Sequence, residues 1–246
     1  MSSVPRGEFE FLDHQDTPIG TLILRRGELP NAPGQFVTEI TLDHEFLMSS
    51  HITFSERALS EIALEMHTGK ELRVLVGGLG LGYTAWEVLK SPRVVSAEVV
   101  EYVPAVIRWM KEGRVPLSPA LMEDPRFQPV RGNVYERLLS APSEGAEQFD
   151  LLLIDVDHSP GDHLGTSDNH LFYTAEGLQK TACHLASGGV LGVWSYAESS
   201  PFSEALREVF RDVQAVPIRF HNDVIEEDTT DWLFFARGPM KVGDRK

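Results

Sequence analysis

From about residue 70 the chain alternates short apolar runs with stretches of helical periodicity. Arg73-Val74-Leu75-Val76 is a brief apolar run next to glycines, the pattern of a strand buried on both faces of a parallel sheet. Further strands are predicted at 94–100, 127–131, 149–155, 190–194, 216–220 and 232–236. The run Phe149-Asp150-Leu151-Leu152-Leu153-Ile154-Asp155 is the most apolar of them. Helices are predicted between them, at 83–90 before Pro92, at 104–110 with proline in the first turn and Gly113 as its stop, at about 174–185, and from Pro201 with Phe202, Ala205, Leu206 and Val209 on one face. Strands alternating with helices predict a mostly parallel sheet covered on both faces. No helix separates the last two strands, so the final strand is expected to be antiparallel.

The first fifty residues read differently. Residues 1–18 are polar, contain two prolines and lack periodicity, so they are expected to be loose. Thr21-Leu22-Ile23-Leu24 predicts one strand. Residues 36–48 predict a second, with Phe36, Ile40 and Leu42 facing one way and Glu39, Thr41 and Asp43 the other. These form a small antiparallel β appendage, and the expected domains are 1–50 and 51–246. Thr53 and Glu56 have capping-box spacing before Leu59, Ile62, Ala63 and Met66, which predicts a helix that ends by Gly69. The fold class expected is α/β: a Rossmann-like seven-stranded sheet, mostly parallel with an antiparallel last strand, behind an N-terminal β appendage.

Composition narrows the class. The 246 residues carry 22 Lys and Arg against 37 Asp and Glu, a net charge of −15. Such a body repels nucleic-acid phosphates, and no dense basic stripe opposes that. Acidity suits a cationic small-molecule substrate, although solubility alone also accounts for it. No apolar run reaches membrane-spanning length and the N-terminus has no apolar signal core, so neither a membrane segment nor a secretory signal is expected. Cys183 is the single cysteine, which rules out an intrachain disulfide and a cysteine zinc cage. A cytoplasmic location is expected.

Gly78-Leu79-Gly80-Leu81-Gly82 stands between the first parallel strand and its helix. Glycines there admit a tight turn and a close ligand. Glu101 ends the next strand about twenty residues on, where a carboxylate can accept bonds from two ribose hydroxyls. The spacing is not the Gly-x-Gly-x-x-Gly that seats a pyrophosphate, which disfavours a nicotinamide-linked dehydrogenase and favours an S-adenosyl sulfonium.

At these residues the chain resembles the spermidine synthase (aminopropyltransferase) family, within the wider class I S-adenosylmethionine-dependent fold, over about residues 37–237. Gly78 to Gly82 followed by Thr84-Ala85-Trp86-Glu87-Val88 is similar to the family's glycine loop, and Val99-Val100-Glu101 to its ribose-binding segment. Gly132-Asn133-Val134 stands where the family meets the adenine amine. Residues 149–160 resemble its Asp-Ser-Ser-Asp-Pro strand and loop. The resemblance implies a nucleoside site of Gly78, Leu79, Gly80, Gly82, Glu101, Asn133, Val134 and Asp155. Departures accompany it. Leu81 replaces an acid that helps hold the aminopropyl amine of decarboxylated S-adenosylmethionine. Met48-Ser49-Ser50-His51 replaces a Gln and paired acids of the substrate site, leaving Glu56 nearby. His158, beside Asp157, replaces the second loop acid.

Asp155 lies at the carboxyl end of a parallel strand, the edge that lines the ligand crevice. It can orient a nucleophile and accept its proton, with Asp157 and His158 as further catalytic candidates. Glu56 and Tyr173 are candidate substrate contacts, though core packing explains Tyr173 equally well. Asp157, His158, Asp162, His163, Asp168 and His170 could ligate a divalent ion, but their spacing matches no metal motif. A solvated loop without metal is the reading taken.

The expected activity is methyl transfer from S-adenosylmethionine to a small amine or hydroxyl acceptor, with a preference for that donor because of Leu81. One alternative is aminopropyl transfer from decarboxylated S-adenosylmethionine to a diamine, as in polyamine synthesis. Another is a non-catalytic nucleoside-binding interaction subunit. A homodimer is expected.

Overall fold

The computed structural model describes residues 9–17, 19–29, 31–156, 159–160, 169–222 and 226–240. Strands β1 (Phe9–Thr17), β2 (Gly20–Glu28), β3 (Phe36–Leu42) and β4 (Glu45–Ser49) come first, followed by helix α1 (Phe54–Met66). Then come β5 (Leu72–Gly77), α2 (Tyr83–Leu89), β6 (Val94–Glu101), α3 (Pro104–Lys111), α4 (Ser118–Glu123), β7 (Phe127–Arg131), α5 (Val134–Leu139) and β8 (Phe149–Ile154). The chain continues through α6 (Asn169–Phe172), α7 (Ala175–Ala182), β9 (Leu185–Ser195), α8 (Ser200–Val209), β10 (Phe210–Asn222) and β11 (Glu227–Pro239).

The first four strands form an antiparallel sheet in chain order. The other seven are ordered β10-β11-β9-β8-β5-β6-β7. Within that sheet β11 runs against both β9 and β10, while the pairs from β9 to β7 are parallel. This is the expected α/β architecture.

The N-terminal strands depart from the expectation in two ways. Residues 9–17 are not loose: they pair with β2 along their length despite their polar sequence. Backbone pairing needs no apolar alternation, and Asp13 ties the strand to α3 by accepting bonds from Arg108 (2.6 Å) and the Trp109 indole (2.7 Å). Residues 36–48 are also not one strand. Asp43 and His44 both take positive φ (49° and 72°), reversing the chain between β3 and β4, as a two-residue hairpin turn requires. Phe36 is exposed while Thr38, Glu39 and Thr41 are buried, so the simple inside–outside alternation does not hold here.

The sheets share one core on one face. Leu22, Leu24 and Ile40 belong to the same buried cluster as Leu59, Val74, Val76 and Leu153. The second face is packed by Phe172, Tyr173, Leu178, Phe202 and Leu206 against Leu152, Ile154 and Phe234. After β5 the chain turns to β6 on one side, then returns to place β8 on the other. The crevice at this reversal is where open α/β sheets hold ligands.

Candidate functional site

Two main-chain bonds build the crevice. The Gly78 N–H donates to the Val100 carbonyl (2.9 Å), and the Asp155 N–H donates to the Gly77 carbonyl (2.7 Å). The chains leaving β5, β6 and β8 are thereby held together. Gly78 takes φ +97°, and a Cβ there would run into the Asp155 carbonyl oxygen. Glycine at 78 is therefore required by packing before any ligand is considered. Gly80, at φ +48°, lies under Met48, whose sulfur would stand 2.5 Å from an added Cβ. The β appendage thus closes over the tip of the glycine loop.

Glu101 ends β6 and is buried. One carboxylate oxygen accepts from the Leu79 N–H (2.9 Å) and the other from the Val103 N–H (2.7 Å). Burial raises its pKa, while the N–H groups of Val103, Leu79, Gly80 and Tyr102 pull it back. The Gly132 N–H donates to the Glu101 carbonyl (3.0 Å), bringing the β7–α5 turn alongside. There Asn133 caps α5, accepting from the Tyr135 (3.0 Å) and Glu136 (3.4 Å) N–H groups, and Val134 is buried against Gly77.

On the other side of the glycine loop is a cavity of about 460 Å³. Asp155, Glu56 and Asp231 line it, with Ser55, Leu79, Gly80, Leu81 and Gly82. Met48, Tyr83, Trp194, Tyr196 and Phe220 supply apolar and aromatic wall. Among its described lining residues there is no Lys, Arg or His. The three carboxyls interact. Burial raises the Glu56 pKa to about 8, with the charges of Asp155 and Asp231 adding to the effect. Burial raises Asp155 to about 6 against a hydrogen bond from the Thr84 hydroxyl, with Asp231 again adding. Burial also raises Asp231, opposed by bonds from Ser55 and Trp194. Like charges in a poorly hydrated space suppress one another's ionisation.

The expected residues are distributed as follows. Gly80, Gly82, Leu79, Glu56 and Asp155 meet at the cavity. Gly78, Glu101, Asn133 and Val134 lie behind the glycine loop, outside its lining. Tyr173 is buried in the second core, its hydroxyl 2.8 Å from that of Tyr135, and does not line the cavity. Glu56 does not act in a capping box: Thr53 makes no side-chain cap bond and instead accepts from the Arg57 Nε–H (3.0 Å), while Glu56 lines the cavity. Packing of α1 against the crevice decides this, since the same spacing serves either role. Asp157 and His158, with Asp162, His163 and Asp168, lie outside the described residues. Among the described residues no group of His, Asp, Glu or Cys is placed to hold a metal ion, and no helix is long and apolar enough to cross a membrane. Asp231, Ser55 and Trp194 were not anticipated. The only local signal is an acid at the start of the apolar run Trp232-Leu233-Phe234-Phe235.

A mostly parallel sheet with a glycine loop after its first parallel strand and a buried acid after its second defines a Rossmann-like fold. No family model matches the chain. It is 30% identical to polyamine aminopropyltransferase 1 of Hyperthermus butylicus over 144 residues, 58% of this chain and 47% of that relative. The match thus covers just under half of the relative's length. Spermidine synthase from Thermotoga maritima superposes with a TM-score of 0.68 at 20% identity, over 92% of this chain and 72% of that one. A spermidine synthase in complex with the transition-state analogue AdoDATO superposes with a TM-score of 0.70 at 19% identity, over 92% and 73%. The chain is spermidine synthase-like, and its fold is that of these solved structures.

Proposed function

We propose that the protein transfers an aminopropyl group from decarboxylated S-adenosylmethionine to a diamine. The observation that carries this reading is the cavity with three carboxyls and no cationic side chain among its described lining residues. S-adenosylmethionine would bring its α-carboxylate, beside its α-ammonium, among these acids, a like-charge contact. The decarboxylated donor keeps the ammonium and lacks the carboxylate, and a diamine brings more positive charge. Leu81 no longer argues for the carboxylated donor, because Glu56 can supply counter-charge to the donor's ammonium from another element of the cavity. The likeness to aminopropyltransferases supports the same choice over methyl transfer.

In this reading Glu101 and the glycine loop hold the nucleoside end of the donor. The acceptor nitrogen must be neutral to attack. Asp155, held by Thr84, takes its proton and orients its lone pair toward the aminopropyl carbon bonded to sulfur. As the C–N bond forms the C–S bond breaks, its electrons pass to sulfur, and a neutral thioether leaves. A carboxyl titrating near 6 is matched to that proton transfer near neutrality. Positioning does the remaining work, because a sulfonium is already a good leaving group.

Incubation with each donor and a four-carbon α,ω-diamine, read by mass spectrometry, tests the reading. A product gaining one aminopropyl group is expected. A methylated product from S-adenosylmethionine would return the assignment to methyl transfer. Consumption of neither donor, with binding retained, would favour a non-catalytic subunit.

A further inference from the structure

The transfer step uses Asp155 but has no work for Asp231. Asp231 is 8% exposed, at the cavity end of β11. The Ser55 hydroxyl donates to its Oδ2 at 2.6 Å, and the Trp194 Nε1–H donates to the Ser55 oxygen at 3.0 Å. These partners come from α1 and β9, so three separate elements converge to orient one carboxylate. Strand pairing does not need the acid, since β11 pairs with β10 at this position through the backbone, Asp231 opposite Ile218. Burying a carboxylate beside two others costs stability unless a cation joins it, and no described lining side chain is cationic. Trp194, Tyr196 and Phe220 line the same cavity, residue types that favour a nearby cation.

The sheet also sets a separation. β9 lies between β8, which leads to Asp155, and β11. Two strand spacings and a register offset of two residues put the backbones of Asp155 and Asp231 roughly 12 Å apart. Their side chains share one cavity, so a short alkyl chain can lie between them.

We infer that Asp231, oriented by Ser55 and Trp194, is a specificity-determining residue that binds the acceptor's second ammonium, the one remote from the nitrogen that reacts beside Asp155. The inference rests on the acceptor reading above and adds the residue that selects α,ω-diamines over monoamines.

Calorimetry without donor, comparing a four-carbon α,ω-diamine with the alkyl monoamine of equal length, tests it. The wild-type protein should bind the diamine at least about 10-fold more tightly, the scale of one charged hydrogen bond. Asp231→Asn should lose most of that preference through weaker diamine binding, with monoamine binding unchanged. Ser55→Ala should lose part of it. Equal wild-type affinities, or equal weakening of both amines in Asp231→Asn, would overturn the assignment. If Asp231→Asn does not fold, Asp231→Glu decides. The longer side chain should shift the preferred diamine to a shorter one, and an unchanged optimum would overturn the role. Turnover is read separately. Asp231-dependent diamine preference without aminopropyl product would end the transferase reading and leave this one standing. Product from monoamines and diamines at equal kcat/KM would do the reverse.

Discussion

Glu101 and Glu56 are the same residue type on the two sides of one glycine loop. Glu101 is surrounded by main-chain N–H groups, and both its oxygens are bonded to backbone. Its charge holds the turn after β6 against the turn after β5. Glu56 faces Asp155 and Asp231 instead, 3.3 Å from a Ser55 hydroxyl whose proton goes to Asp231, and its pKa rises to about 8. One carboxylate is satisfied by the fold and shapes the turns behind the glycine loop. The other belongs to a group that the fold leaves short of positive charge, which is the signature expected of a site for cations. An acid's sequence position does not tell these cases apart; its hydrogen-bond partners do.

Asp155 carries the largest expected effect. Asp155→Asn keeps the volume and can keep the Thr84 contact, but it cannot accept the proton. Turnover should fall by about 10²–10⁴-fold while the melting temperature holds or rises above pH 6. A steady-state assay beside a thermal melt checks both. Full activity would remove Asp155 from the mechanism, and a collapsed melt would make it a structural residue.

Donor choice is the next largest effect. Competition binding should favour decarboxylated S-adenosylmethionine over the carboxylated form by roughly 100-fold, the scale of a like-charge contact worth a few kcal/mol. Preference for the carboxylated donor would mean that the acid cluster does not face the donor's side chain.

Glu101→Ala should act on both fold and ligand. It leaves the Leu79 and Val103 N–H groups without their acceptor, so stability should drop by about 1–3 kcal/mol in denaturant titration. Calorimetry should show a similar loss for the donor. Unchanged donor affinity would restrict Glu101 to its structural role.

The smallest effect is a pH dependence at Glu56. Its folded pKa of about 8 lies above the ordinary 4.5. Between those values the folded protein keeps a proton that the unfolded chain releases, so this group lowers stability as pH rises through the window. Glu56→Gln should flatten the fall between pH 5 and 8, as read by melts across pH. The opposite slope would show that Glu56 ionises readily in the folded state. In the wild type, diamine binding near pH 7 should release a proton, measured by calorimetry in buffers of different ionisation enthalpy.

Period and punctuation in the sequence determined the sheet–helix alternation, the antiparallel last strand, the glycine loop and the place of Asp155, because buried parallel strands and their turns write local signals. The strand at residues 9–17 was not legible, since its hydrogen bonds are made by backbone that carries no side-chain signature. The pairing of Glu56 with Asp155, and the meeting of Ser55, Trp194 and Asp231, were decided only by the tertiary structure. Ser55 and Asp231 are 176 positions apart. The order β11-β9-β8 brings the ends of distant strands to one edge, and α1 packs over that edge. Whether a carboxylate is neutralised by backbone donors or waits for a cation depends on what surrounds it in space, and that is a property of the assembled crevice.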